Sequence, residues 1–324
     1  MSLPSNFNNS CRKSPLDLFN DPTKPYINVC APMVRYSKLP FRELVRGYNV
    51  DLAYTPMILA KEFKNSSVAR DFDFSTSPTD SPLIIQFASN SPVELAKAAE
   101  LVIGYVDGID LNCGCPQKWA LNEGIGANLM DKPELVKDMI RTIKVEYFNI
   151  FIIHFQTYIS IPFSSGFLIK RKTLSFTKNA ESVGVDFIAI HGRTRRQKST
   201  SPIDLDTIKL CKESLQIPVI ANGNVFSLED ANILCENTKV DGVMTARGIL
   251  KNPALFAGCE STPWECVDRF IKLSLGLGTT HYIFHHHLMY MFEDFMSNAE
   301  RKTFNTLTSI PAIVDYLGEH YGLQ

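Results

Sequence analysis

Short apolar runs alternate along the chain with stretches of helical pattern. Each run ends in a polar or glycine-containing turn, which is typical of parallel strands buried on both faces. Seven such runs occur, at residues 27–31, 52–55, 83–87, 108–111, 187–190, 219–221 and 242–245. A helix predicted at 172–183 requires one more strand before it. Residues 149–169 are the only material available, and 149–155 could form that strand. Eight βα units over 27–256 therefore predict an α/β fold, a TIM (β/α)8 barrel.

The barrel pattern does not cover the whole chain. Residues 1–24 mix Asn, Ser and Pro without an apolar core, which predicts a flexible N-terminal lead-in and no signal peptide. Residues 25–257 hold the barrel. From residue 258 to 324 only helical spacing remains, with apolar positions repeating over 264–277 and 284–295. We expect a small C-terminal helical domain there. Within the barrel, Ser91 before Pro92 and Ser227 before an acidic turn mark helix starts.

Charge and cysteine content limit the ways in which the protein could bind RNA and the compartment in which we expect it. The formal net charge of −1 gives no overall basic surface, so any RNA binding must come from local patches. Eight cysteines without a signal peptide favour reduced thiols and an intracellular, cytoplasmic protein. The apolar stretch at 147–169 is interrupted by His154, Gln156 and Pro162, so we expect no membrane span.

Two clusters contain residue types that bind metals, but neither has the spacing of a metal site. Cys113 and Cys115 are separated by one residue instead of two, and no second pair completes a tetrahedral site. His285, His286 and His287 are consecutive, so on a helix they point in different directions. We expect no metal.

Polar groups stand at the ends of most predicted strands, where a TIM barrel carries its active site. They are Ala31-Pro32-Met33-Val34, Gln86, Asn112-Cys113-Gly114-Cys115-Pro116, His191-Gly192-Arg193, Asn222-Gly223-Asn224 and Ala246-Arg247-Gly248. Glycine-containing turns after the last two strands are the usual phosphate cradle of this fold, and Arg247 could add a charge-assisted contact. The alternative is that these glycines only permit tight turns.

Cys115 lies on a proline-terminated loop at the end of the fourth strand. A thiol with a pKa near ~8.5 can donate a proton or act as a nucleophile, and a buried cysteine is more often a small apolar group. Its place at a strand end favours the role of an acid.

Five motifs in register resemble the tRNA-dihydrouridine synthases. They are Ala31-Pro32-Met33, Asp110-Leu111-Asn112-Cys113-Gly114-Cys115-Pro116, His191-Gly192-Arg193-Thr194, Ile220-Ala221-Asn222-Gly223 and Ala246-Arg247-Gly248. The resemblance extends over nearly the whole chain, including a C-terminal helical domain like the family's tRNA-binding one. The run from Leu111 to Trp119 and the short helical tail are most similar to the eukaryotic dihydrouridine synthase 4-like branch.

The resemblance implies an FMN enzyme that reduces uridine to 5,6-dihydrouridine in the D-loop of tRNA, at positions 20a and 20b. NADPH or NADH would reduce the flavin, the flavin would give hydride to C6 of uridine, and Cys115 would protonate C5. The implied FMN ligands are Pro32, Met33, Val34, Gln86, His191, Asn222, Gly223, Asn224, Ala246 and Arg247. The expected substrate contacts are Asn112, Arg193, Arg195 and Arg196, on a protein expected to be a monomer.

Residues 145–170 depart from the family. The family carries a lysine in a short Lys-x-Arg segment on its fifth strand, whereas Phe and Ser occupy this neighbourhood here. Lys170 follows the strand, so the role is not carried onto it. The segment is either a rebuilt strand or an aberrant one. Two other functions therefore stay open: an FMN barrel acting on a free pyrimidine or other small molecule, and a non-catalytic tRNA-binding protein.

Overall fold

Eight parallel strands close into a barrel in the computed structural model, which describes residues 13–146, 151–156 and 166–323. Each strand pairs with its neighbour in chain order, and β8 pairs back with β1. The strands are β1 Ile27–Cys30, β2 Leu52–Leu59, β3 Leu83–Ala88, β4 Gly108–Cys113, β5 Phe151–Gln156, β6 Phe187–His191, β7 Val219–Asn222 and β8 Gly242–Thr245. The predicted TIM barrel is confirmed.

The fifth strand completes the barrel within the atypical segment. Its backbone pairs with β4 from Ile109↔Phe151 to Cys113↔Phe155, and with β6 from Ile152↔Phe187 to Gln156↔His191. The prediction of a strand at 149–155 is therefore correct to within two residues. Residues 147–150 and 157–165 of the segment lie outside the described residues.

The second strand is longer than its apolar run predicts. It continues past Pro56, which has no N–H to give to the ladder, and the pairing with β3 shifts register between Tyr54 and Met57. The backbone N–H of Gln86 donates to the Thr55 hydroxyl at 3.1 Å across this irregularity. A proline inside a strand favours an earlier end, and the bulge accommodates it.

Helices surround the strands and connect them. They are α1 Pro15–Leu18, α2 Leu39–Arg46, α3 Ala60–Asn65, α4 Ser67–Asp73, α5 Pro92–Glu100, α6 Lys118–Asn122, α7 Pro133–Glu146, α8 Gly166–Glu181, α9 Leu205–Ser214, α10 Leu228–Thr238 and α11 Arg247–Lys251. The predicted caps are present. Ser91 accepts from the N–H of Glu94, and Ser227 forms a reciprocal capping box with Asp230.

Four helices follow the barrel: α12 Trp264–Gly276, α13 His281–Met291, α14 Asn298–Phe304 and α15 Ile310–Tyr321. Their apolar side chains belong to the same continuous core as the barrel. His287 of α13 lies at this junction, with its ring 4.6 Å from that of Phe41 and 4.9 Å from that of Phe270. Its Nε2 is 3.1 Å from the carbonyl oxygen of Tyr36. Burial lowers the pKa of His287 to about 3, so the ring is neutral and Nε2 donates.

The part of the lead-in that the structure describes is packed onto the barrel. Ser14 caps α1, and the ring of Phe19 lies 5.1 Å from that of Phe187 at the start of β6. Phe19 supplies an apolar anchor for this part of the lead-in, which its composition did not predict. Residues 1–12 lie outside the described residues.

The described part of the chain was expected to lack a membrane span and a metal site. It contains no helix long and apolar enough to cross a bilayer. It also contains no group of three His, Cys, Asp or Glu side chains arranged to hold a metal ion.

Candidate active site

A polar pocket opens where β6, β7 and β8 end. Six residues predicted as FMN ligands line it: His191, Asn222, Gly223, Asn224, Ala246 and Arg247. Arg193 lines it as well, together with Gly248 of the predicted phosphate cradle. Four further lining residues were not among the predicted site residues: Val225, Phe226, Met244 and Thr245. The turns after the last three strands therefore converge on one cavity.

His191 is a half-buried residue of this pocket with one fully buried ring nitrogen. Its Nδ1 is buried and has no hydrogen-bond partner among the described residues. Burial, followed by the charges of Arg193 and Arg247, lowers the pKa of His191 to about 4. The ring is therefore neutral at pH 7, and a ligand oxygen or nitrogen would satisfy the orphaned atom.

Two guanidinium groups give the pocket its positive charge. Arg247 donates to the carbonyl oxygen of Ser199 at 2.8 Å and stacks on Phe226, with 5.2 Å from Cζ to the ring centre. Arg193 donates to the carbonyl oxygen of Ser201 at 2.7 Å and to Oδ1 of Asn224. Because these oxygens are uncharged, both arginines keep their full charge for an anion.

The position of Arg193 corrects its grouping with Arg195 and Arg196 as a tRNA-contacting cluster. Arg193 is only 3% exposed and lies inside the pocket, whereas Arg195 is half-buried and Arg196 is exposed outside it. The three are neighbours in sequence, but the turn after β6 directs Arg193 into the pocket and leaves Arg196 at the surface.

Gly248 allows the backbone of this pocket to close tightly. A Cβ at this position would lie 2.1 Å from the carbonyl oxygen of Val225 and 2.9 Å from Oγ1 of Thr245. That same Thr245 hydroxyl donates to the Val225 carbonyl at 2.8 Å. The turns after β7 and β8 are thus bound to each other, and only glycine permits the distance.

A second group of polar side chains lies at the ends of β3 and β4. Gln86 is buried and donates from Nε2 to Oδ2 of Asp110 at 2.5 Å. Nδ2 of Asn112 donates to Oε1 of Gln86 at 2.8 Å. Oδ1 of Asn112 in turn accepts from the backbone N–H groups of Gly114, at 3.1 Å, and Cys115, at 2.8 Å.

Cys115 is the accessible thiol of its motif. Cys113 is fully buried, whereas Cys115 is half-buried on the loop after β4. Its carbonyl oxygen accepts from the N–H of Ala127 at 3.0 Å, so the residue is held on both sides. Burial raises the pKa of the Cys115 thiol, partly offset by a backbone hydrogen bond from Gln117. The thiol therefore keeps its proton at neutral pH, as a proton donor requires.

The remaining predicted ligands lie on the loop after β1. Pro32 is half-buried, Met33 is buried and Val34 is 52% exposed. The loop contacts α13: Arg35, at φ 74°, donates to the Tyr282 hydroxyl at 3.2 Å, and the Tyr36 hydroxyl is 3.1 Å from Nδ1 of His286. These residues share the carboxyl end of the barrel with the pocket and with Cys115.

Lys170 lies on a helix and not on a strand of the barrel. It belongs to α8, and its Nζ pairs with Oδ2 of Asp206 on α9 at 2.9 Å. The Lys170 ammonium is therefore engaged by a carboxylate of the neighbouring helix.

The fold and the site define a (β/α)8 barrel with a polar pocket carrying two guanidinium groups after its last strands and a half-buried thiol after its fourth. A family model described as Dihydrouridine synthase (Dus) matches residues 29–310. The chain belongs to the dihydrouridine synthase family, which confirms the predicted family and enzyme class, an oxidoreductase acting on CH–CH groups.

Similar proteins agree with this assignment. A human protein named tRNA-dihydrouridine(20a/20b) synthase (NAD(P)+)-like is 46% identical over 318 residues, covering 96% of this chain and 96% of the human one. A Schizosaccharomyces pombe protein named tRNA-dihydrouridine(20a/20b) synthase (NAD(P)+) is 45% identical over 311 residues, covering 95% of this chain and 92% of its own. The resemblance to the 4-like branch is thereby confirmed.

Solved structures support the fold alone. The old yellow enzyme from Trypanosoma cruzi superposes with a TM-score of 0.51 at 9% identity, covering 70% of this chain and 86% of that one.

Proposed function

We propose that this protein reduces uridine to 5,6-dihydrouridine at positions 20a and 20b of tRNA, with FMN as cofactor and NADPH or NADH as reductant. What carries the proposal is the placement of an anion cradle and a protonated thiol at the same end of one closed barrel. The names of the human and fission yeast relatives support the substrate and the nucleotide positions.

The pocket fits a flavin phosphate. Arg193 and Arg247 supply two charges, and Gly248 lets the turns after β7 and β8 approach closely beside the cavity. The orphaned Nδ1 of His191 lacks a partner that a ribityl or phosphate oxygen would provide. Asn222, Gly223, Asn224 and Ala246 would complete the wall. We therefore propose that Arg193 binds the phosphate of the cofactor and not the substrate.

Pro32, Met33, Val34 and Gln86 would hold the flavin ring. One N–H of Gln86 is used by Asp110, and the second remains to donate to the polar edge of the ring. The chemistry that FMN supplies when bound is hydride transfer, from the nicotinamide and then to C6 of the uracil ring.

Cys115 gives the proton that completes the reduction. Its thiol is protonated at neutral pH, and its backbone is held by Asn112 and Ala127. The Sγ–H bond breaks as the C5–H bond forms, and the thiolate recovers its proton from solvent through its exposed side. This step is general acid catalysis.

RNA binding is assigned to the rim and to the C-terminal helices. Arg195, Arg196 and the exposed pair Arg35–Tyr282 offer cationic and aromatic groups beside the mouth, which suit phosphates and unstacked bases. The helical region at 258–324 remains the proposed tRNA-binding domain.

The experiment incubates the full-length chain with unmodified tRNA, NADPH and FMN, and maps dihydrouridine by nucleoside mass spectrometry and primer extension. We expect modification at 20a and 20b and a yellow protein. A colourless protein that binds tRNA without modifying it would support the non-catalytic alternative, and turnover of free uracil without tRNA would support the small-molecule one.

A further inference from the structure

A buried carboxylate lies beneath the proposed site and is not used by its chemistry. Asp110 stands in the middle of β4 and is 0% exposed. A charge at such a position is costly unless it is hydrogen-bonded, and its Oδ2 accepts the short bond from Gln86. The carboxylate therefore acts on the residues above it through this bond.

The carboxylate fixes the direction of two amides. Because a carboxylate only accepts, Gln86 must turn its NH2 group toward Asp110 and its Oε1 away. Oε1 then accepts from Asn112, which must turn its own NH2 group toward Gln86. Asn112 is left with Oδ1 facing the loop, where it receives the N–H groups of Gly114 and Cys115. Reversing either amide would place donor against donor.

We infer that Asp110 is a positioning residue for Cys115, acting through Gln86 and Asn112 to hold the backbone of the thiol loop. The inference rests on the proposed function, in which Gln86 contacts the flavin and Cys115 donates the proton. Asp110 touches neither cofactor nor substrate. It sets the arrangement in which a cofactor ligand and the proton donor belong to one hydrogen-bonded chain, here called the amide relay: Asp110, Gln86, Asn112 and Cys115.

The test is the reactivity of the Cys115 thiol in the full-length protein with FMN added to saturation. Alkylation by iodoacetamide is followed from pH 6 to pH 10, and peptide mass spectrometry separates Cys115 from the fully buried Cys113. In Asp110→Asn the amide can donate or accept, so the direction of the relay is no longer imposed. We expect Cys115 to react roughly fivefold faster or more, with its titration midpoint shifted to lower pH, as a charge-assisted bond is lost and the loop loosens.

Asp107→Asn is the matched control. Asp107 immediately precedes β4 at its other end, where Oδ2 accepts from the N–H of Leu83 at 2.6 Å and from the Ser81 hydroxyl at 3.1 Å. The chemical change is the same and the strands are the same, but the relay is untouched. Cys115 should react at the wild-type rate. Equal acceleration in both variants, or none in Asp110→Asn, would overturn the inference.

A compensating change tests the relay itself. In Gln86→Glu two carboxylates face each other, so Cys115 should again react faster. In the double variant Gln86→Glu with Asp110→Asn, the amide introduced on β4 donates to the carboxylate introduced on β3, which still presents an acceptor to Asn112. The rate should return to within about twofold of wild type, which is a strong favourable coupling between neighbours. A double variant no closer to wild type than Asp110→Asn would refute a route through Gln86.

The experiment distinguishes a failure of the proposed function from a failure of the positioning role of Asp110. Alkylation needs neither uridine nor hydride transfer, so a protein that makes no dihydrouridine but shows the predicted rates would refute the proposed function and leave the amide relay intact. Active wild-type protein with unchanged alkylation in Asp110→Asn would do the reverse.

Discussion

Replacing Gly126 with alanine should displace Cys115 without touching it chemically. Gly126 begins a 3₁₀ helix at Gly126–Asp131 and has φ +61°, and a Cβ there would lie 2.7 Å from the carbonyl oxygen and 2.9 Å from Cβ of Cys115. Both distances are too short for a real side chain, so the Cys115 loop must shift. The positive φ adds about 1–2 kcal/mol of backbone strain, and overpacking adds about 1–3 kcal/mol.

The expected result is a loss of turnover with retained flavin. If the loop relieves the contact by moving, a misplacement of about 1 Å is enough to cost roughly 10²-fold in rate. If the Cys115 loop does not move, the contact remains strained. The free energy of unfolding then falls by about 2–5 kcal/mol, the sum of the backbone and overpacking penalties. Dihydrouridine formation under single-turnover conditions, flavin absorbance and urea unfolding separate the two.

Gly124→Ala supplies the control. Gly124 also has a positive φ, +73°, but its Cβ would first meet flexible side-chain ends, Nδ2 of Asn90 at 3.3 Å and Nζ of Lys132 at 3.6 Å. The backbone strain is matched and the clash with Cys115 is absent. If Gly126→Ala turns over as fast as Gly124→Ala, contact with the Cys115 loop does not matter for the reaction and our account of the site is wrong.

Three other perturbations probe the site, the domain junction and the fifth strand. Cys115→Ala should keep its flavin and lose ~10²- to 10⁴-fold in dihydrouridine formation, and undiminished turnover would reject the proton-donor role. The pKa of His287 is lowered from 6.5 to about 3, so the unfolded chain binds the proton first and the free energy of unfolding decreases as pH falls from 6.5 toward 3. His287→Gln should reduce the change of the unfolding free energy with pH by up to ~1.4 kcal/mol per pH unit, measured by urea titrations at pH 7 and pH 5. If the pH dependence is unchanged, burial of His287 is not its cause. Replacing residues 145–169 with a family-like Lys-x-Arg strand should raise FMN affinity roughly ten- to a hundredfold, since a charge-assisted contact contributes ~1.5 to 3 kcal/mol, and equal retention by the native chain would mark the segment as an adaptation.

The barrel could be predicted because doubly buried parallel strands consist of continuous apolar runs, and because caps such as Ser91 and Ser227 act locally. The end of β2 could not be predicted from the same pattern. Pro56 signals a break, and only the register with β3 shows that the strand resumes after a bulge.

Some residues of the candidate site could likewise be predicted from the sequence, and others could not. Strand-end motifs located the pocket and Cys115, since their position depends only on topology. The inward turn of Arg193 depends on packing between distant segments, so its sequence neighbours Arg195 and Arg196 were a misleading guide. Asp110 is visible in the sequence as an acidic residue inside the apolar run of β4. Its partner Gln86 is on another strand, so the hydrogen bond between them could not be predicted.

The contacts between the loop after β1 and α13 make cofactor binding and the docking of the C-terminal helices interdependent. Arg35 with Tyr282, and Tyr36 with His286 and His287, join a loop proposed to hold FMN to helices proposed to hold tRNA. By thermodynamic reciprocity, whatever factor FMN adds to RNA affinity through this junction, RNA adds to FMN affinity. A preparation that has lost part of its cofactor would therefore not report the tRNA affinity of the loaded protein, and the two constants need to be measured as a pair.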